Sequence, residues 1–277
     1  MKYSPKKMQE HLNENNFHLK KQFGQNFIID ENIINNIVDK ANIDSDTMIL
    51  EIGPGAGSLT YKLASACKNV LCYEIDTSLE KVLLDNLSEL SNVEIVFKDF
   101  LKANVLEDIK KYNFKKLYVV ANLPYYITTP IITKIIEDKI PADRIVVMVQ
   151  KEVGDRFKAK PNSKEYNSLS IYLNYYYDTS KLMDVSKNVF LPKPNVDSII
   201  VCFDKKKDKI EVDNEELFFK LVKDSFTQKR KNLRNNLKGY NLEKIEIVLK
   251  KYNLDLNVRA EALSINQFAE IANELGE

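Results

Sequence analysis

From residue 30 onward the chain alternates between two apolar periodicities. In "DENIINNIVDK" (residues 30–40), Ile33, Ile34, Ile37 and Val38 recur at helical spacing behind Asp30, a residue type that accepts from the first free amides of a helix. The stretch "TMILEIGPGAGSLTYKLAS" reads as a short apolar strand, a glycine-punctuated turn and a helix carrying Leu59, Leu63 and Ala64. "NVLCYEID" and "NVEIVFKDF" read as strands around the helical "SLEKVLLDNLSEL", and Leu101 to Tyr112 is weakly helical. "KLYVVANLPYY" is a further strand, "TPIITKIIEDK" a helix, and "DRIVVMVQKEVGDRF" a strand running into helix. Such alternation predicts an α/β fold, a parallel sheet covered on both faces.

Two more β-like runs, "SLSIYLNYYYDTSKLMDV" and "DSIIVCFDKK", flank the proline loop "FLPKPNVDS" and are expected to extend the sheet, antiparallel at its edge. Past Phe203 the texture changes. "DKKKDK" is a polar linker, and "EELFFKLVKDSFTQKRKNLRNNLKGY", "LEKIEIVLKKYNL" and "LSINQFAEIANELG" read as three amphipathic helices. Two domains are expected, 1–205 and a small all-helical 206–277.

Composition narrows the class. With 44% hydrophobic and 29% charged residues over 277 positions, the chain can bury a core of one large or two modest domains. Its net charge of +1 creates no overall pull on anions, so an anionic partner must meet a local patch. Lys205–Arg259 carries 15 basic and 9 acidic residues, and Met1–Gly24 carries 5 and 2, so both ends are basic. Cys67, Cys72 and Cys202 are odd in number and scattered, which points to core thiols in a reducing cytoplasm. The leader has no apolar run of signal-peptide or membrane-spanning type. His11 and His18, the two histidines, lie in that leader, which argues against histidine catalysis or a metal site in the body of the chain.

Candidate chemistry sits at the predicted strand ends. Gly53, Gly55 and Gly57 follow a strand and precede a helix, a setting in which backbone can approach a ligand closely. Their spacing is not G-x-G-x-x-G, which disfavours a dinucleotide diphosphate and a NAD-dependent reductase. The next strand ends in Glu74-Ile75-Asp76, where an acid can hold ribose hydroxyls, and the third in Asp99-Phe100, where an acid can accept from an adenine amine. This order fits S-adenosylmethionine better than NAD. The fourth strand ends in Asn122-Leu123-Pro124-Tyr125, a proline-stiffened turn suited to aiming carbonyl acceptors.

Taken together, "KKQFGQNFIID", "EIGPGAG", "YEID", "KDF", "NLPYY", "QKEVGDRFKAKPNSKEYNSLSI", "FLPKPNVDS" and "SFTQKRKNLRNNL" closely resemble the bacterial ribosomal RNA adenine dimethyltransferases of the KsgA/RsmA type. They follow the family order from Lys20 to Leu237, and "RAEALSINQFAEIAN" extends the match toward the C-terminus. The resemblance implies a Rossmann-like S-adenosylmethionine-dependent methyltransferase domain with a helical C-terminal domain. It implies dimethylation of N6 on two adjacent adenosines in the 3′-terminal hairpin of 16S rRNA within the small ribosomal subunit, and a part in subunit biogenesis. The erythromycin-resistance methyltransferases, which act on 23S rRNA, usually carry N-I-P-Y followed by His; Asn122-Leu123-Pro124-Tyr125-Tyr126 and the "GPG" turn favour the small-subunit enzymes. A non-catalytic assembly factor is a further alternative, disfavoured by the intact turn motifs. Tyr126 stands where members often have Asn, and Ile28 where Leu is usual.

By the same resemblance, cofactor contacts carry over to Asn26 and Ile28 in the leader, Gly53 in the turn, Glu74 on the ribose, Asp99 on the adenine and Asn122 near the methionine end. Gly55, Ile75 and Phe100 stand beside them. The Asn122 amide oxygen and the Leu123 carbonyl are expected to accept the hydrogens of the target amine, with Pro124 fixing the bend, Tyr125 stacking on the flipped base and Phe190 covering its other face. Lys229, Arg230, Lys231, Arg234 and Lys238, on about two and a half helical turns with Phe226, Leu233 and Leu237 facing inward, are the expected RNA contacts. A cytoplasmic monomer with no metal and no membrane partner is expected.

Overall fold

A computed structural model describes Glu10 and residues 24–276; residues 1–9 and 11–23, which include His11 and His18, lie outside these, and beyond Glu10 the leader is described only from Gly24 onward. The strands are β1 (Phe27–Ile28), β2 (Thr47–Ile52), β3 (Asn69–Glu74), β4 (Val93–Phe97), β5 (Lys116–Asn122), β6 (Arg144–Gln150), β7 (Tyr177–Val185), β8 (Phe190–Leu191) and β9 (Ser198–Lys205). Seven of them form one sheet in the order β4-β3-β2-β5-β6-β9-β7. The pairs β3–β4, β2–β3, β2–β5 and β5–β6 are parallel, and β9 runs antiparallel to β6. Parallel strands buried on both faces need apolar runs rather than alternation, and β2 and the interior of β5 are buried at every position.

The chain visits β2, β3 and β4 outward to one side and then returns to β5 on the other side of β2. At that reversal the carboxyl ends of β2 and β5 face a crevice, the place where open α/β sheets bind ligands. The helix Glu31–Ala41 is capped by Asp30, whose carboxylate accepts from Asn32 N. It lays Ile34 and Ile37 against Ile49, Leu63, Val70 and Val120 in the core.

The contacts divide the chain into two compact units. One takes in the chain through Gly154 together with Ser180–Asp204; the other joins Asp155–Thr179 to Lys205–Glu277. The expected single cut after residue 205 therefore misses an excursion. Ser168–Tyr176, read from sequence as β-like, is a helix capped by Asn167. Leu169, Ile171, Tyr172, Leu173 and Tyr175 are all buried, so no polar face reveals the helical period. The Tyr172 hydroxyl donates to the Phe219 carbonyl, and those of Tyr175 and Tyr176 donate to Glu215, which fastens this helix to Glu215–Ser225.

A second correction concerns the basic tail. The helix Glu215–Ser225 ends before it, and only one further helical turn forms, Leu233–Asn236. Asn232 starts that turn by accepting from Asn235 N, while the N–H groups of Leu233 and Arg234 go to the carbonyls of Val258 and Leu256. The cations thus occupy turns rather than one helical stripe.

One packing contact gives a direct test of the sheet. Gly154, in the helix Lys151–Phe157 that leaves β6, would place a Cβ 2.3 Å from Ile199 Cδ1 and 2.7 Å from its Cγ1. Ile199 is buried in β9, so it has little room to yield. Gly154→Ala should lower stability by about 1–3 kcal/mol in urea unfolding; an unchanged midpoint would show that β9 shifts without cost.

Candidate active site

A cavity enclosing about 1050 Å³ of non-atom space, open mouth included, lies over the carboxyl ends of β2, β3, β4 and β5. Its wall includes Asn26, Ile28, Gly53, Gly55, Glu74, Ile75, Asp99, Phe100, Asn122, Leu123 and Pro124. The structure therefore gathers the expected cofactor positions, drawn from the leader and four strand ends, around one space.

The turn after β2 needs its glycines. Gly53 has φ +72° and a Cβ there would meet nothing within 4 Å, so bare backbone borders open space. Gly55 has φ +61°, and a Cβ there would come within 2.8 Å of the Phe27 ring. Glu74 locks the turn to β3: its Oε2 accepts from Gly55 N at 3.1 Å and its Oε1 from Asp76 N at 2.8 Å. Burial raises the Glu74 pKa, and these two backbone donors oppose the rise. Further lone pairs on the same carboxylate remain for hydroxyl donors.

Sequence reasoning left Glu74 and Asp76 as alternatives for a ribose, and the geometry separates them. Asp76 is 1% exposed; its Oδ1 accepts from the backbone and hydroxyl of Ser78 and its Oδ2 from Gln25 Nε2 at 2.9 Å. It holds the leader rather than the cavity. Asp99 Oδ1 accepts from Leu101 N at 2.9 Å, which fixes the carboxylate at the rim. Phe100 is buried edge-on against Tyr73, with ring centroids 5.6 Å apart.

At the end of β5, Asn122 Nδ2 donates to the Asn26 carbonyl at 2.9 Å. A carbonyl can only accept, so this bond decides which way the amide faces and turns Oδ1 to the opposite side. Pro124's carbonyl takes the Ile127 N–H and the Thr128 hydroxyl, whereas no described backbone donor goes to the Leu123 carbonyl. Two acceptors thus stand together at a stiff bend.

A family model described as "Ribosomal RNA adenine dimethylase" matches residues 16–277. The chain belongs to the ribosomal RNA adenine dimethylase family. It is 48% identical over 280 aligned residues to "Ribosomal RNA small subunit methyltransferase A" of Staphylococcus aureus (strain bovine RF122 / ET3-1), covering 98% of this chain and 94% of that protein. Among solved structures it is similar to a dimethyladenosine transferase from Plasmodium falciparum, with TM-score 0.73 and 25% identity over 88% of this chain and 95% of the other. It is also similar to the 23S rRNA methyltransferase ErmE, with TM-score 0.68 and 25% identity over 91% of this chain and 100% of the other. The fold class is that of these methyltransferases, and the chain is an rRNA adenine methyltransferase by family.

Within this dimethylase, one of the two expected base-stacking residues, Phe190, stands elsewhere than the sequence suggested. Phe190 is 3% exposed: β8 pairs with β1, Ile28 opposite Phe190, and the ring joins the core with Ile28. It does not line the cavity and is no exposed base platform. Tyr125 is half-buried, and its hydroxyl is within 2.8 Å of Ser198 Oγ. Tyr126 is instead the exposed ring at the rim, 58% accessible, lying against Gly24, where an added Cβ would meet it at 3.2 Å.

Two residues of the dimethylase site escaped sequence reasoning. Gln25, through Asp76, ties the leader to β3. Glu51 is 1% exposed in mid-β2 yet lines the cavity, and burial pushes its pKa up to about 7. The signal for Glu51 was present: a lone acid inside the otherwise apolar strand "TMILEI" has no structural reason to be there. Lys229, Arg230, Lys231, Arg234 and Lys238 are all exposed in the other compact unit.

Proposed function

We propose that this dimethylase transfers methyl groups from S-adenosylmethionine to N6 of two adjacent adenosines in the 3′-terminal hairpin of 16S rRNA, dimethylating each during small-subunit assembly. The observation that carries the reading is the Asn122 amide, held by the Asn26 carbonyl at the wall of a cavity lined by three carboxylates. Glu51, Glu74 and Asp99 would repel an anionic diphosphate, whereas a sulfonium and an α-ammonium suit them, and bare backbone at Gly53 leaves room for a ligand. When bound, S-adenosylmethionine supplies a methyl carbon on a positively charged sulfur. Glu74 would hold the ribose and Asp99 the adenine of that cofactor.

The adenine amine is a weak nucleophile because its lone pair is conjugated into the ring. Asn122 Oδ1 and the Leu123 carbonyl accept its hydrogens and favour a pyramidal nitrogen with a directed lone pair. The nitrogen becomes acidic once alkylated and releases its proton without a strong base. Support for the small-subunit substrate is the 48% identity to a small-subunit enzyme against 25% to the 23S rRNA methyltransferase. A cytoplasmic location follows from that substrate, and among the described residues no helix is long and apolar enough to cross a membrane.

Labelled methyl transfer to undermethylated small subunits, followed by digestion, tests the reading. Dimethyladenosine in 16S rRNA and none in 23S rRNA is the expected result. Label confined to 23S rRNA, or no transfer, overturns it.

A further inference from the structure

Between the helices Lys151–Phe157 and Ser168–Tyr176 the chain runs through Lys158-Ala159-Lys160-Pro161-Asn162-Ser163-Lys164. This loop is fastened at three points inside its own compact unit. Lys229 Nζ donates to the Lys164 carbonyl at 2.6 Å, and Asn162 N–H donates to the Glu261 carbonyl at 2.7 Å. The buried Tyr166 ring packs edge-on against Phe226 with centroids 6.1 Å apart. Within the loop, Ser163 donates through both N–H and hydroxyl to the Lys160 carbonyl. The loop is thereby joined to the turn that carries the basic tail.

The charges on the two segments share a property. Lys158, Lys160, Lys164, Arg230, Lys231 and Arg234 are exposed, and none of them pairs with a carboxylate among the described residues. Elsewhere on this protein some exposed lysines hold acids, Lys110 with Glu107 at 2.6 Å, Lys115 with Asp46 at 2.7 Å and Lys181 with Asp184 at 2.7 Å, while others such as Lys81 and Lys102 have no carboxylate partner among the described residues, so what marks these two segments is that their cations are gathered on joined backbone. A concentration of unpaired cations on ordered backbone repels itself unless a polyanion neutralises it.

We infer that the Lys158–Lys164 loop and the Lys229–Arg234 turn form one composite surface for RNA phosphates, in which Lys229 is the clasp that positions the loop. The inference rests on the rRNA substrate proposed above and extends its RNA contacts beyond the C-terminal tail. Lysines are point charges without the planar fork that reads bases, so the loop fixes register on the RNA backbone and carries no sequence preference. Fastening at three points orders the loop before binding and lowers the entropic cost of contact.

Binding of the full-length protein to undermethylated small subunits, measured across a salt series, tests this. Lys160→Gln/Lys164→Gln should weaken binding roughly tenfold near physiological salt and make the slope of log K against log salt shallower by about 2, with the melting temperature and S-adenosylmethionine affinity unchanged. Lys229→Met should flatten the slope and also speed amide exchange across residues 158–164, which separates a clasp from a simple phosphate contact. A wild-type slope for the loop variant, alongside a flattened slope for Arg230→Gln/Arg234→Gln, overturns the composite surface and leaves the tail as the RNA contact. Wild-type slopes for both overturn the tail contact as well. Weakened binding by the loop variant with an unchanged slope points to a subunit protein as its partner and overturns the phosphate assignment.

Discussion

Asn122→Ala is expected to lower kcat for methyl transfer by about 10²–10³ while changing S-adenosylmethionine affinity by less than about tenfold. The rate factor corresponds to roughly 3–4 kcal/mol of transition-state stabilisation. That is the scale for removing one preorganised group aimed at a reacting centre. Loss of the Asn122–Asn26 hydrogen bond removes only about 1 kcal/mol of stability. The leader also keeps two other anchors, the Gln25–Asp76 bond and the β1–β8 pairing. A folding defect therefore does not reproduce the rate loss. Single-turnover rates with undermethylated subunits and calorimetric cofactor titration measure the two quantities separately. A near-normal kcat removes Asn122 from the mechanism, and equal losses in rate and cofactor affinity reduce it to a binding residue.

Much of this site was legible because parallel strands announce themselves as short apolar runs and their carboxyl ends fall at fixed places in the sequence. Gly53, Glu74, Asp99 and Asn122 each follow such a run, and topology then brings those ends together. What escaped was whatever depends on burial without periodicity. Ser168–Tyr176 is apolar nearly all round, so its helical nature rests on the Asn167 cap and on contacts with Glu215–Ser225 far along the chain. Phe190 looked like a loop aromatic because a ribbon of two residues per strand, β1 with β8, leaves no period to detect. In the basic tail, an apolar spacing at Phe226, Leu233 and Leu237 suggested one continuous helix. Leu233 and Leu237 are indeed buried, but the intervening chain turns, with Lys231 N donating to the Gln228 carbonyl and Asn232 capping a new start. Hydrophobic spacing survives a break that side-chain capping creates.

Glu51→Gln should show the next largest effect, and its signature is a dependence on pH. Burial in β2 raises the Glu51 pKa from 4.5 to about 7, aided by the nearby negative charge of Glu74 and opposed by hydrogen bonding that includes the Cys72 thiol. A carboxyl with a raised folded pKa binds its proton more tightly folded than unfolded, so its contribution to stability declines as pH rises from about 4.5 to 7. By pH 8 the ionised group costs the cofactor-free protein on the order of 3 kcal/mol. Urea unfolding should accordingly find Glu51→Gln close to wild type near pH 4.5 and more stable by about that amount at pH 8. Glu74, whose pKa burial also raises, is present in both proteins, so the difference reports chiefly on Glu51. The same carboxylate faces the cavity, where a cationic ligand favours its ionised form. S-adenosylmethionine binding to wild type should then tighten between pH 6 and 8 and release a proton near pH 6, measurable by calorimetry in buffers of different ionisation enthalpy. Glu51→Gln should bind with no such proton release. A stability difference flat from pH 5 to 8 would mean that Glu51 ionises at its ordinary pKa, and proton release retained in the variant would assign the linkage to Glu74 instead.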